Sequence, residues 1–186
     1  MRVKFRRAAA VPLALMLAQA IATPAAAQTP ECHVDPQEPP LPAAGTVDPA
    51  LVRELTLWIG ENSQYDVSAL ITEPPEVNFC HEGEHVHYGK AEFVVEQDMR
   101  AAYDPSARSI YLVLPWSAEA PRDRAVLVHE LFHWVQLESR EWPCYQALEI
   151  GAYGIQARYL REHGLTVDWD WFDIYLRARC PTEVHP

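Results

Sequence analysis

The sequence predicts an α+β fold, in which a small sheet is followed by a mostly helical C-terminal half. Short segments rich in β-branched and aromatic residues, bounded by turn residues, lie between residues 77 and 114. Longer segments with helical periodicity occupy residues 121–163, and a shorter one precedes the strands. Strands gathered in one part of the chain and helices in another are typical of this class.

The first 27 residues have the composition of a secretory signal peptide. Basic residues open the chain, an apolar segment follows, and Ala25–Ala27 provide a small-residue cleavage site. We expect cleavage after Ala27 and a secreted or periplasmic protein with no membrane contact beyond export. Residues 28–47 are rich in proline and polar residues, which predicts an extended N-terminal arm before a single domain at 48–186.

The charge of the chain argues against two classes of partner. The sequence has 15 basic and 26 acidic residues, a formal charge of −11. Cleavage would remove four of the basic residues and no acidic one, which leaves a formal charge of −15. Because an acidic surface repels nucleic acid and anionic membranes, we expect neither as a partner. The oligomeric state stays open.

The N-terminal part of the domain has local signals for one helix and several strands. Asp48 followed by Pro49 is typical of a helix start, and an apolar stripe continues to about Asn62. Short extended segments follow. Asp104–Ser106 then predict the turn of a hairpin, and Ser109–Leu114 predict the strand after it.

Three helices are predicted in the C-terminal half. The first covers Pro121–Ser139. The second is expected to open at Trp142–Pro143 and to end at His163, because Gly164 is typical of the position just past a helix end. A last amphipathic helix is expected at Trp169–Arg179.

Four cysteines predict two disulfide bonds, since an even number in an exported chain is typical of disulfide pairing. We expect the pairs Cys32–Cys80 and Cys144–Cys180, because each would tie one end of the chain to a nearby element. A structural zinc site would need closely spaced cysteine pairs, and the sequence has none.

The segment VLVHELFHWVQ, residues 126–136, contains two histidines and a glutamate inside an otherwise apolar predicted helix. On a helix, residues four apart share one face with Cβ atoms ~5–6 Å apart, so His129 and His133 can bind one Zn²⁺ ion. Glu130 flanks the metal, where it can act as general base towards a metal-bound water whose pKa is lowered to roughly 7. Buried histidines are costly without partners, and a metal is the partner that suits both.

The residues alone leave more than one candidate for the third metal ligand. A catalytic zinc site normally has three protein ligands and a water. One known spacing needs a Gly and a third His where this chain has Gln136 and Ser139, so that class is excluded. Glu149, on the next predicted helix, can reach back if the two helices pack as an antiparallel pair. Glu138 and Glu141 are the alternatives.

Several segments carry a family resemblance that covers roughly residues 48–164. PPEV, AAYDPSARSIYL, LVHELFHWVQ, PCYQALEIGAYGIQARYL and HG resemble, in this order, small exported bacterial gluzincin-like domains, often grouped as families of unknown function. Gluzincins are zinc metallopeptidases in which the motif HExxH is followed by a Glu from a second helix. The resemblance implies a zincin-like fold, with a small mixed or antiparallel sheet packed on an active-site helix pair.

The resemblance also implies roles for individual residues. It implies His129, His133 and Glu149 as zinc ligands and Glu130 as the general base. It further implies that Ser109–Leu114 is the edge strand beside the cleft, to which a peptide could add as a further strand.

One position departs from the family pattern. Many gluzincins have an Asp one helical turn after the third ligand, which orients the first histidine, and this chain has Tyr153 there. The partner that orients the histidines is therefore not identified. Candidates to stabilise the oxyanion are Tyr145, Tyr153 and the histidines of the segment CHEGEHVHYG, and we favour Tyr153 as the catalytic residue. The histidines of that segment are His81, His85 and His87.

The sequence therefore predicts an exported zinc-dependent hydrolase, a metallopeptidase with a peptide or protein substrate. The alternative is a non-catalytic zinc-binding secreted domain that recognises a protein partner, and a third possibility is a purely structural domain without metal. Gln136 and Gln156 are expected to support the packing of the helix pair, and Trp169 to take part in helix packing.

Overall fold

The computed structural model describes residues 47–181, and these form an α+β protein, as predicted. The predicted signal peptide, almost all of the N-terminal arm and Cys32 lie outside the described residues, so the cleavage site and the Cys32–Cys80 bond stay predictions. In chain order, the elements are α1 (Pro49–Asn62), a short 3₁₀ helix (Leu70–Thr72), β1 (Glu76–Cys80), β2 (His85–Tyr88), β3 (Ala91–Val94), β4 (Ala101–Asp104), β5 (Ser109–Val113), α2 (Pro121–Ser139), α3 (Gln146–Glu162) and α4 (Trp171–Arg177).

Helix α1 has the predicted bounds. The Asp48 side chain accepts a hydrogen bond of 2.8 Å from the backbone N–H of Ala50, a group that has no partner within the helix. Leu55 and Ile59 lie on its buried side and belong to the main core. Through this side, α1 packs against α2.

The main sheet is mixed and has three strands in the order β1-β5-β4. Strand β5 is central, with β1 parallel on one side and β4 antiparallel on the other. The expectation that Ser109–Leu114 forms the edge strand is therefore wrong. All five residues of β5 are buried, and β4 is the edge beside the helices. The predicted hairpin between β4 and β5 is confirmed, and its turn is held by Asp104, which accepts a hydrogen bond from Ser106 N at 2.8 Å.

The two faces of the sheet bury different partners, because side chains alternate along a strand. Ile110 and Leu112 of β5 belong to the main core with the helices. Tyr111 and Val113 point to the other face and pack against the two-stranded hairpin β2-β3. The sheet is thus covered on both sides, and its edge at β4 runs beside α2.

Helix α2 crosses the centre of the molecule and packs mainly against α3. Its predicted bounds are confirmed. Every residue from Leu127 to Gln136 is buried, and Leu127, Leu131 and Trp134 have no exposed surface. A helix that is buried on all sides can contain polar residues only where they find partners inside the protein.

Helix α3 begins at Gln146, later than the predicted start at Trp142–Pro143. The Trp142 ring folds back, and its Nε1–H donates to Gln136 O at 2.9 Å, so the connecting segment closes the end of α2 instead of opening α3. Cys144 forms the predicted disulfide bond with Cys180.

Helix α4 is shorter than the predicted segment Trp169–Arg179. Its start is set by Asp170, whose side chain accepts hydrogen bonds from Phe172 N and Asp173 N. Only Ile174 within the helix is buried, so the helix contributes little to the core.

Candidate metal centre

His129 and His133 lie one turn apart on α2 and line a cleft of about 520 Å³. Their rings stand 4.7 Å apart between centroids, with an angle of 82° between the planes. Only 8% and 9% of these residues' surfaces are exposed. The predicted spacing therefore places both imidazoles on one face of a buried helix.

Glu149 of α3 completes the cluster from the facing helix. Its Oε2 atom lies 3.4 Å from Nε2 of His129, and its Oε1 atom lies 3.5 Å from Nε2 of His133. One ligand atom from each of the three residues lies within 4.8 Å of the others. Of the candidate third ligands, Glu149 is the one that the structure brings to the two histidines; Glu138 instead pairs with Arg108 at 3.6 Å.

Two glutamines hold the histidines by their other ring nitrogens. Oε1 of Gln156 lies 2.9 Å from Nδ1 of His129, and Oε1 of Gln136 lies 3.3 Å from Nδ1 of His133. The Nε2 atoms of both rings are left to face Glu149. Gln156 thus contacts the first histidine, the residue that an Asp at position 153 would orient in the family pattern.

Glu130 follows His129 directly and is 7% exposed. Burial raises the pKa of its carboxyl group to about 7. The positive charge of His129 lowers the pKa, the negative charge of Glu149 raises it, and a hydrogen bond from the Tyr103 backbone lowers it. This carboxyl group thus lies beside the cluster without belonging to the set of three converging ligand atoms.

The two histidines and Glu149 shift one another's pKa values. Burial, together with the neighbouring charge of His129, lowers the pKa of His133 to about 4. For His129, burial acts in the same direction, but the hydrogen bond to Glu149 and the charges of Glu130 and Glu149 outweigh it and raise the pKa. Burial raises the pKa of Glu149, but the two histidines outweigh it and lower the pKa.

The ligand set fits a zinc ion. Two imidazole nitrogens and a carboxylate are ordinary zinc ligands, and three protein ligands with an open position are typical of catalytic sites. Two ligands about 2.0–2.2 Å from one tetrahedral ion are separated by about 3.3–3.6 Å. The separations of 3.4 and 3.5 Å involve different oxygens of Glu149, and one ligand atom from each of the three residues lies within 4.8 Å of the others, so the ligands converge on one point but are more widely spaced than around a bound ion.

Aromatic side chains form one wall of the cleft. The Tyr153 ring packs edge-on against His129 with 4.8 Å between centroids, and Trp169 packs against Tyr153 at 5.2 Å. Tyr145 also lines the cleft and is 62% exposed. Sequence reasoning assigned Trp169 to helix packing, yet its ring also forms part of the cleft wall, which the sequence did not indicate.

The edge strand β4 also lines the cleft. Arg100 O accepts a hydrogen bond of 2.9 Å from Val113 N of β5. Along an antiparallel strand, the backbone N–H and C=O groups of successive residues point alternately towards and away from the neighbouring strand. Ala101 and Tyr103 therefore direct their N–H and C=O groups away from β5. Tyr103 O already accepts a hydrogen bond of 2.8 Å from the hydroxyl of Tyr88, a cleft residue that sequence reasoning did not consider.

The histidines of the first hairpin lie apart from this cluster. Nδ1 of His85 lies 3.7 Å from Oε1 of Glu92 across the β2-β3 pair, and both side chains are more than half exposed. Across residues 47–181, no second group of His, Cys, Asp or Glu residues comes close enough to hold a metal ion. His81, His85 and His87 are thus not brought together as a site.

The fold and the ligand set define an α+β protein with a candidate metal centre between two packed helices. The chain belongs to the family described as "Domain of unknown function (DUF6647)", whose sequence model matches residues 44–186. No curated protein and no solved structure matches the chain. None of the helices in the described part of the chain is long and apolar enough to cross a membrane.

Proposed function

We propose that the protein is an exported zinc-dependent hydrolase, and specifically a gluzincin-like metallopeptidase with a zincin-like fold. The observation that carries this proposal is the convergence of His129, His133 and Glu149 beside the buried Glu130 in one cleft. A mixed sheet packed on the helix pair supports the zincin-like architecture. The Cys144–Cys180 bond supports a secreted or periplasmic location, since disulfides persist in oxidising compartments.

Each residue of the cluster has a role in this proposal. His129, His133 and Glu149 hold the zinc ion, which when bound polarises the substrate carbonyl and lowers the pKa of water. Glu130 accepts a proton from the water that attacks the carbonyl carbon. It then transfers this proton to the amine nitrogen as the C–N bond breaks, so that the products are a carboxylic acid and an amine.

Tyr153 is the proposed donor to the oxyanion. It lies one turn after Glu149 on α3, and its ring already contacts His129. A phenolic O–H beside the ligands can donate a hydrogen bond to the oxygen that becomes negative during hydrolysis. Tyr145 lines the same cleft and is the alternative donor.

The edge strand β4 supports a peptide as the substrate. Ala101 lines the cleft and directs its backbone N–H and C=O away from β5. An extended peptide can add to such an edge through backbone hydrogen bonds, which recognise any sequence. Tyr103 is the next residue whose backbone groups point away from β5, but its C=O accepts from Tyr88 and its N–H donates to Glu130. We therefore expect the peptide to dock at Ala101.

Replacement of Glu130 by Gln tests the hydrolase proposal against the non-catalytic alternative. The purified native protein should contain about one equivalent of zinc by elemental analysis and should cleave members of a peptide library. Glu130→Gln should keep the zinc and lower hydrolysis by about 10²–10⁴-fold, the usual contribution of a general base. Glu141→Gln, in the exposed connecting turn, is the control that should keep both properties.

Two outcomes would count against the proposal. If the native protein binds zinc but cleaves no peptide, the result favours a non-catalytic zinc-binding domain. If it binds no zinc and His129→Ala does not change its stability, the result favours a purely structural domain without metal.

A further inference from the structure

Gln136 is 1% exposed, and both the N–H and the oxygen end of its side-chain amide have partners inside the protein. Its Nε2 atom donates a hydrogen bond of 3.1 Å to Leu148 O on α3. A carbonyl oxygen can only accept, so this contact sets which end of the amide is the NH₂ group. The Oε1 atom is therefore the end that faces Nδ1 of His133 at 3.3 Å.

The orientation of the amide decides the tautomer of His133. Since Oε1 of Gln136 can only accept, Nδ1 of His133 must carry the hydrogen and donate it. The Nε2 atom is then free of hydrogen, and its lone pair lies on the side of Glu149, whose Oε1 atom is 3.5 Å away. This is the tautomer that a histidine needs in order to bind a metal through Nε2.

Gly151 leaves the space in which the amide lies. A Cβ atom at this position would lie 2.9 Å from Nε2 of Gln136 and 3.2 Å from Cε1 of Phe132. The first contact is shorter than real Cβ atoms show, so the end of the Gln136 side chain, which makes both hydrogen bonds, would have to shift. By contrast, a Cβ atom on Gly154, one turn later on α3, would meet no atom within 4 Å.

We propose that Gly151 and Gln136 together position the metal site: Gly151 leaves room for the Gln136 amide, and the amide holds His133 in the tautomer and orientation that bind a divalent metal. Both are positioning residues, since neither belongs to the three ligands. The amide orients the imidazole without adding a charge, unlike the carboxylate that commonly orients a ligand histidine. The inference rests on the proposed function for the metal that His133 binds, whereas the contacts among Gly151, Gln136 and His133 are independent of it.

A pair of glycine variants tests this inference. Gly151→Ala should weaken zinc binding by about 10–100-fold, the usual effect of losing a residue that orients a ligand, as measured by competition with a chromophoric chelator. Gly154→Ala, on the same helix, should bind zinc like the native protein. Gln136→Met keeps the side-chain length without the amide and should match Gly151→Ala. The double variant should bind no more weakly than either single variant, because both act through one hydrogen bond.

A second measurement needs neither metal nor activity. In metal-free, ¹⁵N-labelled protein, the ring nitrogen shifts of His133 should show one tautomer with hydrogen on Nδ1, in the native protein and in Gly154→Ala. In Gly151→Ala and Gln136→Met, the shifts should move towards a mixture of the two tautomers. Urea unfolding of each variant separates this effect from a general loss of stability.

The inference would be overturned if Gly151→Ala bound zinc as tightly as Gly154→Ala, or if His133 kept its single tautomer in Gln136→Met. Should Gly151→Ala not fold, Gln136→Met still decides the role of the amide. Absence of hydrolysis or of zinc in the native protein would defeat the proposed function, whereas the His133 tautomer would still decide the inference.

Discussion

Gln156 holds His129 from the side of the ring opposite to Glu149, with 2.9 Å between Oε1 of Gln156 and Nδ1 of His129. Glu149 contacts Nε2 of the same ring at 3.4 Å. The two α3 residues are seven positions apart, which is about two helical turns and therefore the same face. One face of α3 thus contacts both ring nitrogens of His129.

The contact between Gln156 and His129 predicts the effect of removing the amide. Gln156→Leu keeps a side chain of similar size but cannot accept from Nδ1, so zinc affinity should fall by about 10–100-fold. Competition with a chromophoric chelator measures the change. Gln64→Leu, at an exposed position, is the matched control and should bind zinc like the native protein. Equal affinities of the two variants would show that Gln156 does not orient the ligand.

Glu149 should couple zinc binding to stability. A ligand at 100 times its Kd stabilises the folded state by about 2.7 kcal/mol. Zinc at that ratio should stabilise the native protein by about this amount, and Glu149→Gln by only about 0.4 kcal/mol if affinity falls 100-fold. Thermal unfolding with and without zinc measures the difference. Glu141→Gln is the control, and an equal response of the two variants would exclude Glu149 as a ligand.

Tyr88 and Tyr103 should make the fold sensitive to alkali. Burial raises the pKa of each to about 12, and the charge of Asp104 acts in the same direction on both. An unfolded tyrosine has a pKa of about 10, so between about pH 10 and pH 12 the folded state retains protons that the unfolded state loses. The stability that is present below pH 10 should therefore decrease as the pH rises through this window.

Urea unfolding at about pH 9 and about pH 11 checks this prediction, together with the absorbance of phenolate. Tyr88→Phe and Tyr103→Phe should each reduce the loss of stability between the two pH values. Tyr175→Phe, at an exposed position, should leave the loss unchanged. A free energy of unfolding that is equal at both pH values would contradict the prediction.

The Cys144–Cys180 bond should stabilise the fold, since it closes a loop with a sequence separation of 36 residues. For a loop of this length, the chain-entropy relation gives about 4 kcal/mol, and removal of a native disulfide typically lowers stability by about 2–5 kcal/mol. The double variant Cys144→Ser/Cys180→Ser should show this loss in urea unfolding. Dithiothreitol should produce a similar loss in the native protein, and an unchanged stability of the double variant would refute the prediction.

Local geometry explains why the sequence predicted one part of the site well. The start of α2 at Pro121 and the spacing of His129 and His133 depend only on residues within one helix. The edge strand was predicted wrongly because strand order is not a local property. Strand β5 becomes central only because β1, about thirty residues earlier in the chain, pairs parallel to it. No pattern within Ser109–Leu114 indicates that partner.

The orienting residues were only partly accessible from the sequence. The family pattern directs attention to the position one turn after Glu149, where the chain has Tyr153, whereas Gln156 lies two turns after it on the same face. A search by helical periodicity could have found Gln156. The role of Gln136 could not be found in this way, because the direction of its amide depends on Leu148 O of another helix.

The contact between Gly151 and Gln136 also restricts how the family can diverge. A methyl group at position 151 and the amide of a full-length side chain at position 136 compete for one space. Homologous chains with Ala at 151 should therefore have a shorter residue at 136 and a different acceptor for the second histidine. We expect the two positions to be substituted as a pair during evolution, although they lie on different helices and neither is a metal ligand.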